Sequence, residues 1–227
     1  MNYVPLNRYP LNSQTFRTPL SWAAANGHTE VVKLLMSRED VKLDASDFRA
    51  RTPLFFAVMN GHGDVVRLLL SRHDVNPNSF DNSGETPLSV AITKGQVAMV
   101  NLLLGRKDII LNCVGMMGVS AIYLSTLCGR EEILEILLAR EDADPNLQSW
   151  NGWGPLSLAV GPGKTSIVKM LLDRADVNPN PVEHGGWTPL DRARVHEHKD
   201  IVALIESRIS AMGHSDIYPC PERVPPP

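Results

Sequence analysis

Three short stretches hold residue types that could do chemistry. The segment VGPGKTS, residues 160–166, closes on Gly-Lys-Thr, as does a loop whose backbone amides wrap a nucleotide phosphate while its Lys reaches the outer phosphates. That loop needs another glycine five residues before Gly163, because the amides converge only where the turn is free of side chains, and position 158 is Leu. HEHKD, residues 196–200, has the His and Glu of a zinc-hydrolase helix. Such a helix carries its histidines four apart on one face, whereas His196 and His198 are two apart. Cys128 is a candidate nucleophile without an assigned base, and a free thiol at a helix end is the expected reading. A fourth feature is periodic. Arg38, Arg72, Arg106, Arg140, Arg174 and Arg208 recur at one spacing, and Asp40, Asp74, Asp108, Asp142 and Asp176 follow the first five by two residues. The stripe could bind anions, but arginine at a helix C-terminus also bonds the last carbonyls and suits the macrodipole, so a structural role is expected.

The bulk properties narrow the classes further. The 227 residues are 43% hydrophobic, enough for a sizeable core, and the formal net charge of −3 comes from interspersed charges. No concentrated basic surface of the kind nucleic acid requires is present. Cys113, Cys128 and Cys220 form no CxxC pair, which fits free thiols in a reducing compartment better than a disulfide or zinc framework. The opening MNYVPLNRYP lacks the apolar run of a signal peptide, and no stretch approaches the roughly 20 apolar residues that span a bilayer. A cytoplasmic location is expected, with the nucleus as the alternative.

The elements that must position these residues follow from a 34-residue repeat. TPLSWAAANGHTEVVKLLMSRED from Thr18 is echoed from Thr52, Thr86, Ser120, Gly154 and Thr188. Thr18, Thr52, Thr86 and Thr188 can cap a helix start, and the prolines that follow them suit the first helical position. Gly27, Gly61, Gly95, Gly129 and Gly163 should end that helix in a left-handed turn. Val31, Val32, Leu34 and Leu35, echoed by Val65, Val66, Leu68 and Leu69, give a second helix its apolar face. Small Ala23, Ala57, Ala91 and Ala159 should let the two helices approach closely. One helix pair cannot bury its own apolar face, so stability must come from stacking on neighbours, and Leu69→Ala or Leu103→Ala should cost about 2–5 kcal/mol. In this register Gly163 sits with Gly61 and Gly95, Lys164 replaces His62, and His198 takes the place of His28 and His62. The phosphate and zinc readings therefore become turn positions, and no catalytic, cofactor or metal site is expected.

The recurring Thr-Pro-Leu, Ala-Ala, Gly-His, Val-Val, Leu-Leu and Asp-Val resemble the ankyrin repeat across residues 12–210. The extra residue, in Ser-Arg-Glu-Asp-Val, resembles ankyrin arrays of filamentous fungi. The resemblance implies an all-α solenoid of about six helix-turn-helix units with short β-hairpin loops. The repeats would be 18–51, 52–85, 86–119, 120–153, 154–187 and 188–210, with a partial hairpin at 1–17 and a disordered Pro-rich tail at 211–227. It also implies a non-catalytic module that binds another protein through a concave surface of hairpin tips and first-helix ends. The alternative is the C-terminal sensor part of a larger signalling protein, such as a nucleotide-driven ATPase.

On that resemblance the partner-binding candidates are Phe48, Arg49, Arg51 and Met59, then Met116, Met117, Val119 and Leu127, and finally Trp150, Trp153, His184 and Trp187. Neighbouring Trp and Met in loops suggest a contact patch, while packing of Trp153 on Trp187 would merely stiffen the array. Arg192, Arg194 and Glu206 replace apolar positions in the final unit and should give the outer side of a capping repeat a polar face. At the other end nothing obvious caps Trp22 and Val31. Either the Val4–Leu11 segment covers them or the chain continues an upstream array.

Overall fold

The computed structural model describes residues 17–113 and 119–212. The expected N-terminal extension, the Met116–Met117 tip and the Pro-rich tail from 213 onward lie outside the described residues. Two compact units divide the chain, Met1–Met116 and Met117–Pro227. Unit 1 holds α1 (Pro19–Ala25), α2 (Thr29–Met36), α3 (Pro53–Met59), α4 (Gly63–Leu70), α5 (Pro87–Lys94) and α6 (Val97–Leu104). Unit 2 holds α7 (Ala121–Leu127), α8 (Glu131–Leu138), α9 (Pro155–Val160), α10 (Thr165–Asp173), α11 (Pro189–Val195) and α12 (Lys199–Ala211). No strand forms among the described residues.

The first helix of each pair starts where its cap dictates. Thr18, Thr52, Thr86, Ser120 and Thr188 each accept the backbone N–H three residues on, at 3.0–3.2 Å. At Thr86 the bond is reciprocal, because Ser89 Oγ accepts the Thr86 N–H at 2.8 Å. Gly154 has no side chain to offer, and α9 is the shortest helix of the set at 6 residues. Five of the six turns between paired helices place glycine at positive φ, from 65° at Gly129 to 76° at Gly61. In the sixth the same role falls to Glu197, at φ 58°.

Packing then follows from repetition. In unit 1, α1, α3 and α5 lie side by side, as do α2, α4 and α6; in unit 2, α7, α9 and α11 form one row and α8, α10 and α12 the other. Fully buried Leu54, Phe56, Val65, Leu69, Ile92 and Leu103 build the core of unit 1. Ile122, Ile133, Leu134, Leu137, Leu171 and Ile205 build that of unit 2. Ala57, Ala91 and Ala159 are wholly buried, and Ser125 and Ala193 fill the same register position, so only a small side chain fits where paired helices meet.

Candidate functional site

Three of the described loop tips are pinned by the acid or hydroxyl that begins them, Asp47, Asp81 and Ser149. In unit 1 the Asp47 carboxylate accepts the N–H groups of Arg49 and Arg51, both at 2.9 Å, and pairs with the Arg51 guanidinium at 2.8 Å. The Asp47 N–H closes the turn on the Arg51 carbonyl at 3.0 Å. Asp81 repeats this device with the N–H groups of Ser83 and Glu85. Successive tips are tied together, Asn82 donating to the Phe48 carbonyl at 3.0 Å and to the Arg49 carbonyl at 2.8 Å. On this fixed backbone Phe48 is half-exposed, with the Arg49 guanidinium 5.4 Å from its ring centroid. Met59 is half-buried.

Sequence reasoning missed the neighbour that completes this cluster. Arg17 stacks on Phe56 at 4.0 Å and on Trp22 at 5.0 Å, while Arg51 takes the same Phe56 ring at 4.9 Å. The Arg17 Nε is buried without an acceptor. Burial, and secondarily the like charge of Arg51, lowers the Arg17 pKa, against an opposing pull from Asp47. The available signal was Arg17 and Arg51 occupying one register position 34 residues apart.

In unit 2 the tips are aromatic. The Ser149 N–H donates to the Trp153 carbonyl at 2.9 Å, and the Ser149 hydroxyl contacts Asn151, whose side chain takes the Trp153 N–H at 3.1 Å. Trp150, between them, is 81% exposed. Trp153 makes no ring-stacking contact with Trp187 among the described residues. It lies half-buried under the Arg192 guanidinium, 4.2 Å from its centroid, and Arg192 is forked onto the buried Glu183 carboxylate at 2.8 and 2.5 Å. Arg192, expected on the outer face of the last pair, thus turns inward; only Arg194 and Glu206 face outward, paired at 2.7 Å. His184 is exposed, its backbone and ring so close to Gly152 that an added Cβ would meet them at 2.7–2.8 Å. Trp187 and Leu127 are exposed, but Val119 is buried at 7%, which removes it from any contact surface. Met116 and Met117 lie outside the described residues.

The chemical candidates resolve into ties between neighbouring helix pairs. Lys164 donates to the carbonyls of Thr126 at 3.0 Å and Leu127 at 3.3 Å, the place filled in unit 1 by His62, 3.0 Å from the Ala25 carbonyl. His198 lies 3.3 Å from the Gly161 carbonyl and stacks on His196, so the histidine ties to the preceding pair's turn and not to its own. The described residues contain no cluster of three or more potential metal ligands. The arginine stripe works the same way. Arg106 pairs with Asp108 at 2.7 Å and donates backward to the carbonyls of Leu70, Arg72 and Val75 at 2.9–3.3 Å. In unit 2, Arg174 reaches Leu138 and Arg140, and Arg208 reaches Arg174 and Ala175. The carbonyls are those of the preceding pair, where the sequence suggested the arginine's own helix. Hydrogen bonds from Arg72, Arg106 and Arg140 hold Asp74, Asp108 and Asp142 below the usual carboxylate range.

Comparison with known proteins matches the family model "Ankyrin repeats (3 copies)" to residues 5–81, 73–149 and 121–212. No curated protein sequence matches this chain. Among solved structures, the ankyrin repeat domain ABAYE2397 of Acinetobacter baumannii AYE is 27% identical, with 84% of this chain and 97% of that one covered and a TM-score of 0.77. The ankyrin repeat domain of Bcl-3, a member of the IkappaB protein family, is 25% identical over 85% and 86% of the two chains, with a TM-score of 0.77. The ankyrin repeat protein EF0377 shares the fold at 23% identity, covering 87% of this chain and 98% of its own, with a TM-score of 0.76. The helix no described residue supplies is one long and apolar enough to cross a membrane.

Proposed function

This chain belongs to the ankyrin-repeat family, and from that premise we propose that it is a non-catalytic module that binds a protein partner at its loop tips and first-helix ends. Domains of this family are generally protein-binding, and the carrying observation here is Trp150, 81% exposed on a loop whose backbone is pinned at both ends. A bulky apolar side chain held rigidly in water loses little conformational freedom on contact, which is the property that makes Trp a frequent interface anchor. Trp187 and His184 extend the same surface in unit 2.

In unit 1 the partner would meet a different chemistry. Arg49 is exposed, and Arg17, whose buried Nε has no acceptor, shares the Phe56 ring with the Asp47-paired Arg51. Three arginines around the single Asp47 carboxylate leave this tip with surplus positive charge, which suits a partner's Asp or Glu approaching the exposed Arg49. Phe48 and Trp22 flank these cations with exposed ring area. Cysteines without a CxxC pair and the lack of glycosylation acceptors favour the cytoplasm as the site of binding.

The test is affinity capture from the native cell with the full chain and with a Trp150→Ala/Trp187→Ala pair, both checked for unchanged melting. Loss of a specific partner with the fold intact supports the reading. An unchanged set of partners together with a lowered melting temperature would show the aromatic patch to be structural.

A further inference from the structure

The loop after each second helix carries one polar residue at a fixed place in the 34-residue register: Asp44, then Asn78, Asn112, Asn146 and Asn180. At Asn78 and Asn146 both ends of the side chain are used on the next loop, whereas Asn180 accepts only the Leu190 N–H, at 3.4 Å. Asn78 Nδ2 donates to the Asp108 carbonyl at 2.8 Å while its Oδ1 accepts the Ile110 N–H at 2.9 Å. In unit 2, Asn146 donates to the Asp176 carbonyl at 2.7 Å and accepts the Asn178 N–H at 2.8 Å. Asp44 makes only the accepting half. Its Oδ2 takes the Asn76 N–H at 2.8 Å, and its Oδ1 is shut off from water with no partner. By register with Asn78 and Asn146, that oxygen takes the part of the asparagine NH2 group, and the carbonyl equivalent to those of Asp108 and Asp176 is that of Asp74. A carboxylate there sets acceptor against acceptor, whereas a carboxylic acid has the missing donor.

We propose that Asp44 is a proton-operated clasp between the first and second helix pairs, open as the carboxylate and closed as the acid, whose O–H donates to the Asp74 carbonyl. The charged groups facing it are the Asp74 carboxylate, itself paired with Arg72 and beside His73, and the Arg106 guanidinium, itself paired with Asp108. Burial raises the Asp44 carboxyl above its usual range. The Asn76 N–H pulls it down, Asp74 pushes it up, and Arg106 pulls it down. A carboxyl whose folded pKa is raised binds its proton more tightly in the folded chain. Its stabilisation is fully present below the ordinary carboxylate range and is lost as pH rises through the raised folded value. Asp74 and Asp108, held low by their arginines, lose their contribution on acidification, so the clasp is read from the difference between variants and not from one melting curve.

The experiment is thermal unfolding of the full chain, Asp44→Asn and Asn78→Asp, in steps from pH 8 to pH 4.5. Asp44→Asn should melt above the unaltered chain at pH 8, by about 2–4 °C, because the amide makes both bonds at any pH, and the gap should close toward pH 4.5. Asn78→Asp should create the same device one step along, melting lower at pH 8 and recovering on acidification. A gap for Asp44→Asn that is constant with pH, or an Asp44→Asn chain melting below the unaltered one at pH 8, overturns the proposal. So does an Asn78→Asp deficit that ignores pH.

Discussion

The first helix pair, α1–α2, and the last, α11–α12, are cut from one pattern and meet water differently. In α1–α2 the residues Trp22, Val31 and Leu34 are 42%, 47% and 67% exposed. The register equivalents of Val31, which are Val65, Met99, Ile133, Ile167 and Ile201, are all buried. In α11–α12 two apolar positions have become charged. Arg194, at the place of buried Ala24, Val58, Ile92 and Val160, pairs with Glu206 in solvent. A repeat therefore has two apolar faces, and the last pair carries substitutions that let its trailing face remain wet while the first pair keeps an apolar leading face.

The comparison can be broken most sharply at Arg192, which occupies the place of Trp22 yet holds the buried Glu183. Arg192→Ala should cost about 3–5 kcal/mol in urea unfolding, because an unpaired carboxylate is left out of water; a loss below 1 kcal/mol would mean that Trp153 and not the ion pair seats α11. Next in size is the stitch between pairs. Arg106→Ala should cost about 1.5–3 kcal/mol, since it removes charge-assisted bonds to three carbonyls. Arg72→Ala, which loses the exposed pair with Asp74, should leave the melting temperature nearly unchanged. Equal losses in the two variants would refute the role assigned to the carbonyls.

The register argument itself is tested by Val65→Ala against Val31→Ala. The first removes two buried methyl groups and should cost about 2 kcal/mol; the second should stay within about 0.5 kcal/mol. Equal costs would show that the leading face of α1–α2 is covered. The smallest effect is a gain. Glu197 is the non-glycine residue in a turn where the other five pairs use glycine, and Glu197→Gly should stabilise unit 2 by up to about 1 kcal/mol in calorimetry, the relief of a left-handed Cβ clash outweighing lost chain stiffness. A decrease would show that the Glu197 side chain is needed where it stands.

Much of the fold was legible because its signals are local. A Thr that caps the amide three residues on, a Pro that needs no donor and a Gly at positive φ act within one turn of chain, so reading them needs no knowledge of neighbours. The candidate surface was legible only in part. Phe48, Trp150 and Trp187 are exposed as their loop positions suggest, yet Val119 two residues beyond Met117 is buried and Trp153 is roofed by an arginine 39 residues later. Nothing within the tip segment distinguishes Trp150 from Trp153.

By itself, then, the sequence determined the period, the two helices of each repeat, the turns between them and the membership of Leu69 and Leu103 in a core. All of these rest on forces that act over a few residues or on the apolar spacing of a single helix. Only the tertiary structure decided that Arg106 is bonded to the carbonyls behind it, that Lys164 and His62 tie turns together, that Arg192 points inward, and that one Asp44 carboxylate oxygen is buried without a donor. Those outcomes depend on the offset at which one helix pair settles against the next, and that offset is set by the summed packing of side chains 34 residues apart.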